Sequence, residues 1–194
     1  MSNNLSEGIM SYAVIGLLVF AFLAFVVLFN SVVNTKNAAE SAWSSIDVML
    51  KKRHDLIPNL VASVKQYMQH EAGLLEKITT LRAASINTSA SPQQRLEAEG
   101  QLSGALGQLR VAVENYPNLK ANENFLQLQG SLNECEEQIS AARRAYNASV
   151  VDYNNCMDMI PYSIVASMKG FQRKAFFEVP EAERANVDVK GLFS

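Results

Sequence analysis

The hydrophobic pattern of the chain begins with an apolar stretch, residues 9–29, that contains no charged side chain. A helix rises about 1.5 Å per residue, so this stretch covers about 31 Å, the thickness of the hydrocarbon core of a bilayer. It has no polar face, which argues against a helix buried in a protein core. It is too long for the core of a signal peptide, and only Glu7 is charged in the segment before it. The pattern predicts a retained transmembrane helix at 9–29 after a short segment at 1–8.

Beyond the apolar stretch, the pattern changes to a seven-residue repeat. Between Trp43 and Leu81, ten of the twelve positions in two neighbouring series are apolar or aromatic, and the two exceptions are Arg53 and Glu71. This repeat predicts one helix that buries a single face over about 40 residues. Pro58 lies inside it and predicts a kink near 54–58 rather than a break, because the register continues across the proline.

The membrane helix and this repeat are predicted to form one continuous helix. No cluster of Gly or Pro separates residue 29 from Trp43, and we expect at most a local irregularity near residues 30–34.

Two further helices are predicted from local signals. Ser91, Pro92 and Gln94 form a helix start after the polar loop 85–91, so a second helix is expected at about 92–115. After a turn at Asn115–Asn118, a third is expected at about 119–159 and is ended by Pro161. The apolar positions predicted to be buried are Leu96, Leu102, Leu106, Leu109 and Val113 on the second helix, and Phe125, Leu132, Ile139, Tyr146, Tyr153 and Ile160 on the third.

The second helix contains Gly100, Gly104 and Gly107. Glycine inside a helix costs about 1 kcal/mol relative to alanine, so we expect a neighbouring helix to approach closely there. The segment 162–179 is expected to hold a short helix and then to dock on the bundle, with the bilayer surface as the alternative location. The predicted domains are therefore 1–8, 9–29, a helical bundle at 30–178 and a partly disordered tail at 179–194. The fold class is all-α, with one N-terminal transmembrane helix before an antiparallel, four-helix-type bundle.

The distribution of charge favours one orientation in the membrane. The segment before the apolar stretch has no Lys or Arg, whereas Lys36 and the run Lys51–Arg53 follow it. Basic flanks face the cytoplasm, so we expect an outer N-terminus and a cytoplasmic bundle in the bacterial inner membrane. Cys135 and Cys156 would lie about 31 Å apart on one helix and could not pair, and we interpret them as small buried residues.

The composition argues against several kinds of chemistry. The chain has 17 basic and 19 acidic residues, so it carries no excess of positive charge that would attract nucleic acid. His54 and His70 would lie about 24 Å apart on one helix and could not share a metal ion. No nucleophile motif or phosphate-binding loop is present, so we predict no catalytic, cofactor-binding or metal-binding residues. The cluster Lys51–Asp55 could contact lipid headgroups or a partner; the favoured interpretation is a solvated helix face, with Arg53 pairing with a carboxylate across the bundle.

Several sequence blocks together resemble the LemA family of bacterial membrane proteins. They are Ala42-Trp43 with Ile46–Val48, the blocks at 50–60 (LKKRHDLIPNL), 102–106 (LSGAL), 116–122 (YPNLKAN), 124–126 (NFL) and 142–147 (ARRAYN). The resemblance covers about residues 30–178. It implies a membrane helix with an antiparallel bundle, no established enzymatic activity and no catalytic residues to carry over. It also implies links to magnetosome membranes and to genomic neighbourhoods with membrane proteases.

Two functions remain open at this point. The first is a non-enzymatic scaffold whose copies self-associate as a homo-oligomer and organise or shape the lipid bilayer. The second is a small membrane-tethered adaptor that presents a client or protease partner. The two differ in whether the protein assembles with itself.

Overall fold

The computed structural model describes residues 2–177, apart from the side chains of residues 2–9, 11 and 92. In this range the chain is helical and contains no strand, as predicted. The elements are α1 (Ser2–Lys65), a 3₁₀ turn (Gln69–Glu71), α2 (Ala72–Ser85), α3 (Pro92–Val113), α4 (Pro117–Lys120), α5 (Glu123–Asp158) and α6 (Tyr162–Met168). The predicted tail at 179–194 lies outside the described residues, and the predicted domain boundaries stay predictions.

The apolar stretch belongs to α1, which continues without interruption from Ser2 to Lys65. The predicted continuation into the amphipathic repeat is therefore confirmed, and no irregularity interrupts the helix at residues 30–34. The helix also continues through Pro58. Within the described residues, α1 is the helix with an apolar segment long enough to cross a membrane, and none of that segment is buried in the structure.

The prediction of one helix from Trp43 to Leu81 is wrong, because α1 ends at Lys65 and the chain then reverses. Arg82 Nε lies 2.6 Å from the carbonyl oxygen of His54, whereas 28 residues of one straight helix would separate them by about 42 Å. Neither Gly nor Pro marks the reversal. Met68 is fully buried at the turn, and Asn122 donates to the hydroxyl of Tyr67. Tertiary burial therefore ends a helix that the local sequence could have continued.

The described residues form two compact units. The second unit, residues 46–141, contains the end of α1 with α2, α3, α4 and the first half of α5. Arg95 of α3 donates to the carbonyl oxygen of Ser85 at the end of α2, and Cys135 of α5 donates to that of Met49 in α1. Together with the contacts of Arg82 with His54 and of Asn122 with Tyr67, they make α2 and α5 antiparallel to α1, and α3 antiparallel to α2. The core of this unit comprises Ile57, Leu60, Val64, Met68, Leu75, Ile78, Leu102, Ala105, Leu109, Val113, Leu119 and Phe125.

The first unit comprises residues 2–45 of α1 and residues 142–177. Here the second half of α5 packs against α1, and Val32, Tyr153 and Cys156 form the core of the contact. Residues 171–177 follow α6 as a non-helical segment, which we call the strap. The strap returns along α5 towards Tyr146.

The local signal for the start of the second predicted helix is confirmed, whereas the third begins later than expected, at Glu123, after the separate short helix α4. Ser91 and Gln94 form a reciprocal capping box at α3, and Pro92 occupies its first position. On α3 the predicted residues Leu102, Leu109 and Val113 are buried, and Leu96 and Leu106 are partly buried.

On α5 most of the predicted core positions are buried. They are Phe125, Ile139, Tyr146 and Tyr153. Leu132 is partly buried. The prediction for Ile160 is wrong, since it is 81% exposed beyond the end of α5.

The expected close approach at the α3 glycines is wrong for Gly104 and Gly107. A Cβ atom added at either position would meet nothing within 4 Å, and both residues are exposed. Gly100 is partly buried. Packing among the described residues therefore gives no reason for the small side chains at Gly104 and Gly107.

Candidate functional site

Arg53, an exception in the apolar repeat of α1, is fully buried in the second unit. Its Nη1 donates to Ser103 Oγ at 2.8 Å and to Glu136 Oε2 at 2.7 Å, and its Nη2 donates to the Glu99 carboxylate. A buried guanidinium requires such partners because the loss of hydration is otherwise very costly. The predicted pairing of Arg53 with a carboxylate across the bundle is therefore confirmed.

Glu99 connects Arg53 to His54. His54 Nε2 donates to Glu99 Oε1 at 2.5 Å, and the carboxylate is almost completely buried. Burial alone would raise the pKa of Glu99, but the hydrogen bond from His54 and the charge of Arg53 outweigh it, so its pKa lies below the ordinary value. Glu99 is therefore held ionised, and each of its two oxygens has a donor.

The same cluster includes the backbone carbonyl of His54. In a regular helix this oxygen would accept from the amide of residue 58, but Pro58 has no amide hydrogen. The guanidinium of Arg82, on α2, donates to it instead, at 2.6 Å. A side chain from another helix thus satisfies the group that the proline leaves open, and α1 passes through Pro58 without ending.

The remaining members of the predicted basic cluster lie on the surface of the same unit. Lys51 pairs with Asp55 at 2.8 Å, and both side chains are mostly exposed. Lys52 lies 3.9 Å from Glu134. These pairs agree with the favoured interpretation of a solvated helix face, on which an ion pair contributes little to stability.

A groove between α3 and α5 lies beside the buried cluster. Its volume is about 210 Å³, and Arg53, Ser103 and Glu136 line it together with apolar side chains such as Leu106 and Leu132. The Nε atom of Arg53 is buried and has no hydrogen-bond partner among residues 2–177. The arrangement can hold charges in fixed positions, but it contains no activated nucleophile.

The two histidines have different surroundings. His54 belongs to the buried cluster, whereas His70 lies in the exposed 3₁₀ turn. Over the described part of the chain, no group of three His, Cys, Asp or Glu side chains could hold a metal ion. The absence of catalytic, cofactor and metal sites stays a prediction.

In the first unit, two asparagines of α5 bind the backbone of the strap. Asn154 accepts from the amide of Lys174 at 3.1 Å and donates to its carbonyl at 3.0 Å. Asn147 makes the same pair of hydrogen bonds with Phe177, at 2.8 and 3.1 Å. Each asparagine side chain thus imitates the edge of a neighbouring strand.

Two tyrosines repeat the same spacing. Tyr153 donates to the carbonyl of Gln172, and Tyr146 donates to that of Ala175. Seven residues of a helix advance about 10.5 Å, and three residues of an extended chain advance about 10 Å. The seven-residue spacing on α5 therefore matches the three-residue spacing of the bound carbonyl groups in the strap. The Tyr-Asn pairs at 146–147 and 153–154 therefore hold successive triplets of the strap, which runs antiparallel to α5.

Side chains of the strap fix it to α1 as well. Phe171 stacks near Phe29 at 6.4 Å between ring centroids, and Phe177 lies 6.0 Å from the ring of Trp43. Lys174 pairs with Glu40 at 3.2 Å, and this hydrogen bond lowers the pKa of Glu40. Docking of residues 171–177 on the helices is confirmed, while residues 178 and 179 lie outside the described range.

Both cysteines are buried and unpaired with each other. Cys135 donates to the Met49 carbonyl at 3.2 Å, and burial raises the pKa of its thiol. The interpretation of both cysteines as small buried side chains is confirmed.

Sequence reasoning missed Glu99 and the strap asparagines. Glu99 lies three residues before Leu102, so the helical spacing places it on the buried face of α3. A charged residue on an otherwise apolar face is the signal that also distinguished Arg53 on α1. The asparagines carry a weaker signal, namely the repeated Tyr-Asn pair seven residues apart.

Comparisons with known proteins extend over most of the chain. The sequence model of the LemA family matches residues 42–190. Protein LemA of Metamycoplasma hominis is 28% identical over 163 residues, which cover 84% of this chain and 74% of that protein. Magnetosome protein MamQ 2 of Paramagnetospirillum magneticum is 25% identical over 201 residues, covering 90% and 74%. Magnetosome protein MamQ of Magnetospirillum gryphiswaldense is 24% identical over 174 residues, covering 77% and 64%.

Proposed function

Because this chain belongs to the LemA family and is anchored to a membrane through α1, we propose that it is a non-enzymatic scaffold. In this proposal, copies associate through their helical bundles and organise or shape the membrane that holds them. The names of two relatives, which call them magnetosome proteins, support a role at a membrane.

The observation that carries the proposal is an exposed stripe of small and apolar residues on α3. Gly104, Gly107 and Val111 follow each other at three- and four-residue spacing, which places them on one helix face. An added Cβ at either glycine meets open space, and Val111 is 72% exposed. Small residues on a helix face allow another helix to approach closely, so a second copy of the chain explains a stripe that the fold does not.

The buried cluster supports a structural role for the bundle. Arg53 and Glu99 are paired with each other and hydrogen-bonded to further side chains, so their charges are used within the fold. A reaction centre would need a group free to accept a proton or to attack a substrate.

The second candidate is a membrane-tethered adaptor for a client or protease. The groove of about 210 Å³ between α3 and α5 favours it, because apolar side chains line it beside Arg53 and Glu136. An adaptor would use this groove for one partner and would not need to assemble with itself.

The mass of the particle distinguishes the two candidates. We expect the full-length protein in detergent to form a large, uniform assembly by light scattering on a sizing column. The double variant Gly104→Leu/Gly107→Leu should reduce the mass at least twofold. It should leave the melting temperature unchanged or higher, because an added Cβ meets nothing within 4 Å among the described residues and leucine favours a helix more than glycine does.

The matched control is Gly130→Leu, an exposed glycine on α5 whose added Cβ also meets open space. It should leave the mass unchanged. A wild-type protein that is monomeric in detergent and in bilayers would overturn the scaffold and favour the adaptor. A large assembly that the double variant leaves intact would reject the α3 stripe as its contact.

A further inference from the structure

We propose that the protein touches the bilayer at a second place, the corner between α5 and α6 at residues 159–168. In this proposal the corner lies in the lipid headgroup and upper acyl region beside α1. The inference does not depend on self-association and would hold equally for a monomeric adaptor.

The first argument is exposed apolar surface. Met159, Ile160, Ile164 and Met168 are between 58% and 81% exposed. Among the described residues after 29, eleven large hydrophobic side chains are exposed, and these four fall within ten consecutive positions. The other seven are scattered between residues 43 and 151 and in the strap, so the corner is the place where exposed apolar side chains are concentrated.

The second argument is the level of the corner along α1, within the first unit. The ring of Phe171 lies 6.4 Å from that of Phe29, and Lys169 Nζ lies 5.6 Å above the same ring. Phe29 is the last residue of the apolar stretch that is long enough to cross a bilayer. The residues beside the corner therefore lie at the level where α1 leaves the hydrocarbon.

The direction of α5 takes the corner further towards the membrane. Tyr153 and Cys156 pack with Val32, whereas Tyr146 lies against Trp43, so α5 runs antiparallel to α1 in this unit. Three to four residues beyond Cys156 advance about 5 Å towards the start of α1. Met159 and Ile160 thus reach approximately the level of Leu28, inside the apolar stretch, and their exposed side chains continue its apolar surface.

The charges around the corner fit a lipid surface. Residues 159–171 contain no Asp or Glu, and Lys169 and Arg173 lie at its edge. Arg173 pairs with Asp158, which ends α5. An apolar surface bordered by basic side chains is typical of segments that lie in the plane of a membrane interface.

Tryptophan fluorescence with brominated lipids tests the proposal on the full-length chain. Trp43 is the single tryptophan. In a Trp43→Phe background, Ile164→Trp and Met168→Trp each place the probe at the corner. Val48→Trp is the control, because Val48 is as exposed as Ile164, at 60%, but lies on the part of α1 that belongs to the second unit and outside the α3 stripe. Each variant is reconstituted into phosphatidylcholine–phosphatidylglycerol vesicles, with or without bromine at carbons 6 and 7 of the acyl chains.

We expect brominated lipid to lower the emission at positions 164 and 168 at least twofold, and to leave the control unchanged. Iodide in the buffer should show the opposite preference. Quenching of both corner probes by iodide alone would overturn the proposal, because the corner would then face water. Quenching by neither would overturn it too, because protein, such as a second copy, would then cover the corner.

Circular dichroism establishes that each variant is folded before it is compared. If the Trp43→Phe background does not fold, Trp43 is retained and its emission is subtracted using the parent chain. The same outcomes then decide the proposal.

Discussion

The side chain of Arg82 compensates for a defect that Pro58 introduces in α1. Arg82→Met should leave the half-buried carbonyl of His54 without a donor and lower the free energy of unfolding by about 1–3 kcal/mol. The measurement is chemical unfolding of the full-length protein in detergent.

Pro58→Ala provides the control for this prediction. Alanine restores an amide hydrogen four residues after His54, so the cost of Arg82→Met should be smaller in the Pro58→Ala background. Equal costs in the two backgrounds would show that Arg82 stabilises the bundle in another way.

Glu99 should give the bundle a measurable dependence on acid pH. Its pKa is lower in the folded protein than the ordinary value of 4.5, so its contribution is complete above that value and is lost as the pH falls through the folded pKa. Glu99→Gln should lower stability at pH 7 by about 2–3 kcal/mol, because Arg53 keeps Glu136 as its remaining ionic partner. The variant should also show a smaller loss of melting temperature between pH 5 and pH 3.

Asp55→Asn is the matched comparison for that variant. The pKa of Asp55 is also lowered, first by its hydrogen bond from Lys51, but the pair is exposed and solvent weakens it. Its acid profile should remain that of the wild type. A Glu99→Gln profile that also matches the wild type would contradict the role of Glu99 in the buried cluster.

At the scale of the elements, the Tyr-Asn repeat of α5 should control how firmly the strap is bound. Asn154→Ala removes both hydrogen bonds to Lys174. We expect the amide of Lys174 to exchange its hydrogen at least tenfold faster, while the melting temperature of the whole protein changes little. Asn155→Ala, at an exposed neighbouring position, is the control and should leave the exchange unchanged. Unchanged exchange in Asn154→Ala would mean that the aromatic contacts alone hold the strap.

The elements also show what the sequence could predict. The start of α3 was predictable because Ser91, Pro92 and Gln94 act within one turn. The end of α1 was not predictable from the sequence. The seven-residue repeat indicates which positions are buried, and it can continue in the same register after the chain has turned back. Of the two exceptions in that repeat, Glu71 lies in the 3₁₀ turn where the helix is interrupted, and Arg53 lies in the buried cluster. The positions that depart from the apolar pattern were thus the informative ones. Their roles could not be predicted, because the residues that they contact lie on other helices.

At the scale of the whole molecule, the structure provides favourable conditions for measuring the orientation of the chain in the membrane. Both native thiols are buried, and burial raises the pKa of Cys135, so neither should react readily with a maleimide. A cysteine introduced at an exposed position will then report its own compartment.

The basic residues after α1's apolar stretch predict that the bundle is cytoplasmic. In intact spheroplasts, a membrane-impermeant maleimide should therefore leave Val48→Cys, at an exposed position outside the α3 stripe, unmodified and should modify it once the membrane is opened. Asn3→Cys, before the apolar stretch, should react in the intact cells. The opposite pattern would place the bundle outside the cytoplasm, and the positive flank, in which only Lys36 lies near the membrane, would then have been too weak to set the orientation. In either orientation the corner proposed at 159–168 should stay on the bundle's side of the bilayer, because Lys169 and Phe171, which follow it, lie beside Phe29 at the end of the apolar stretch.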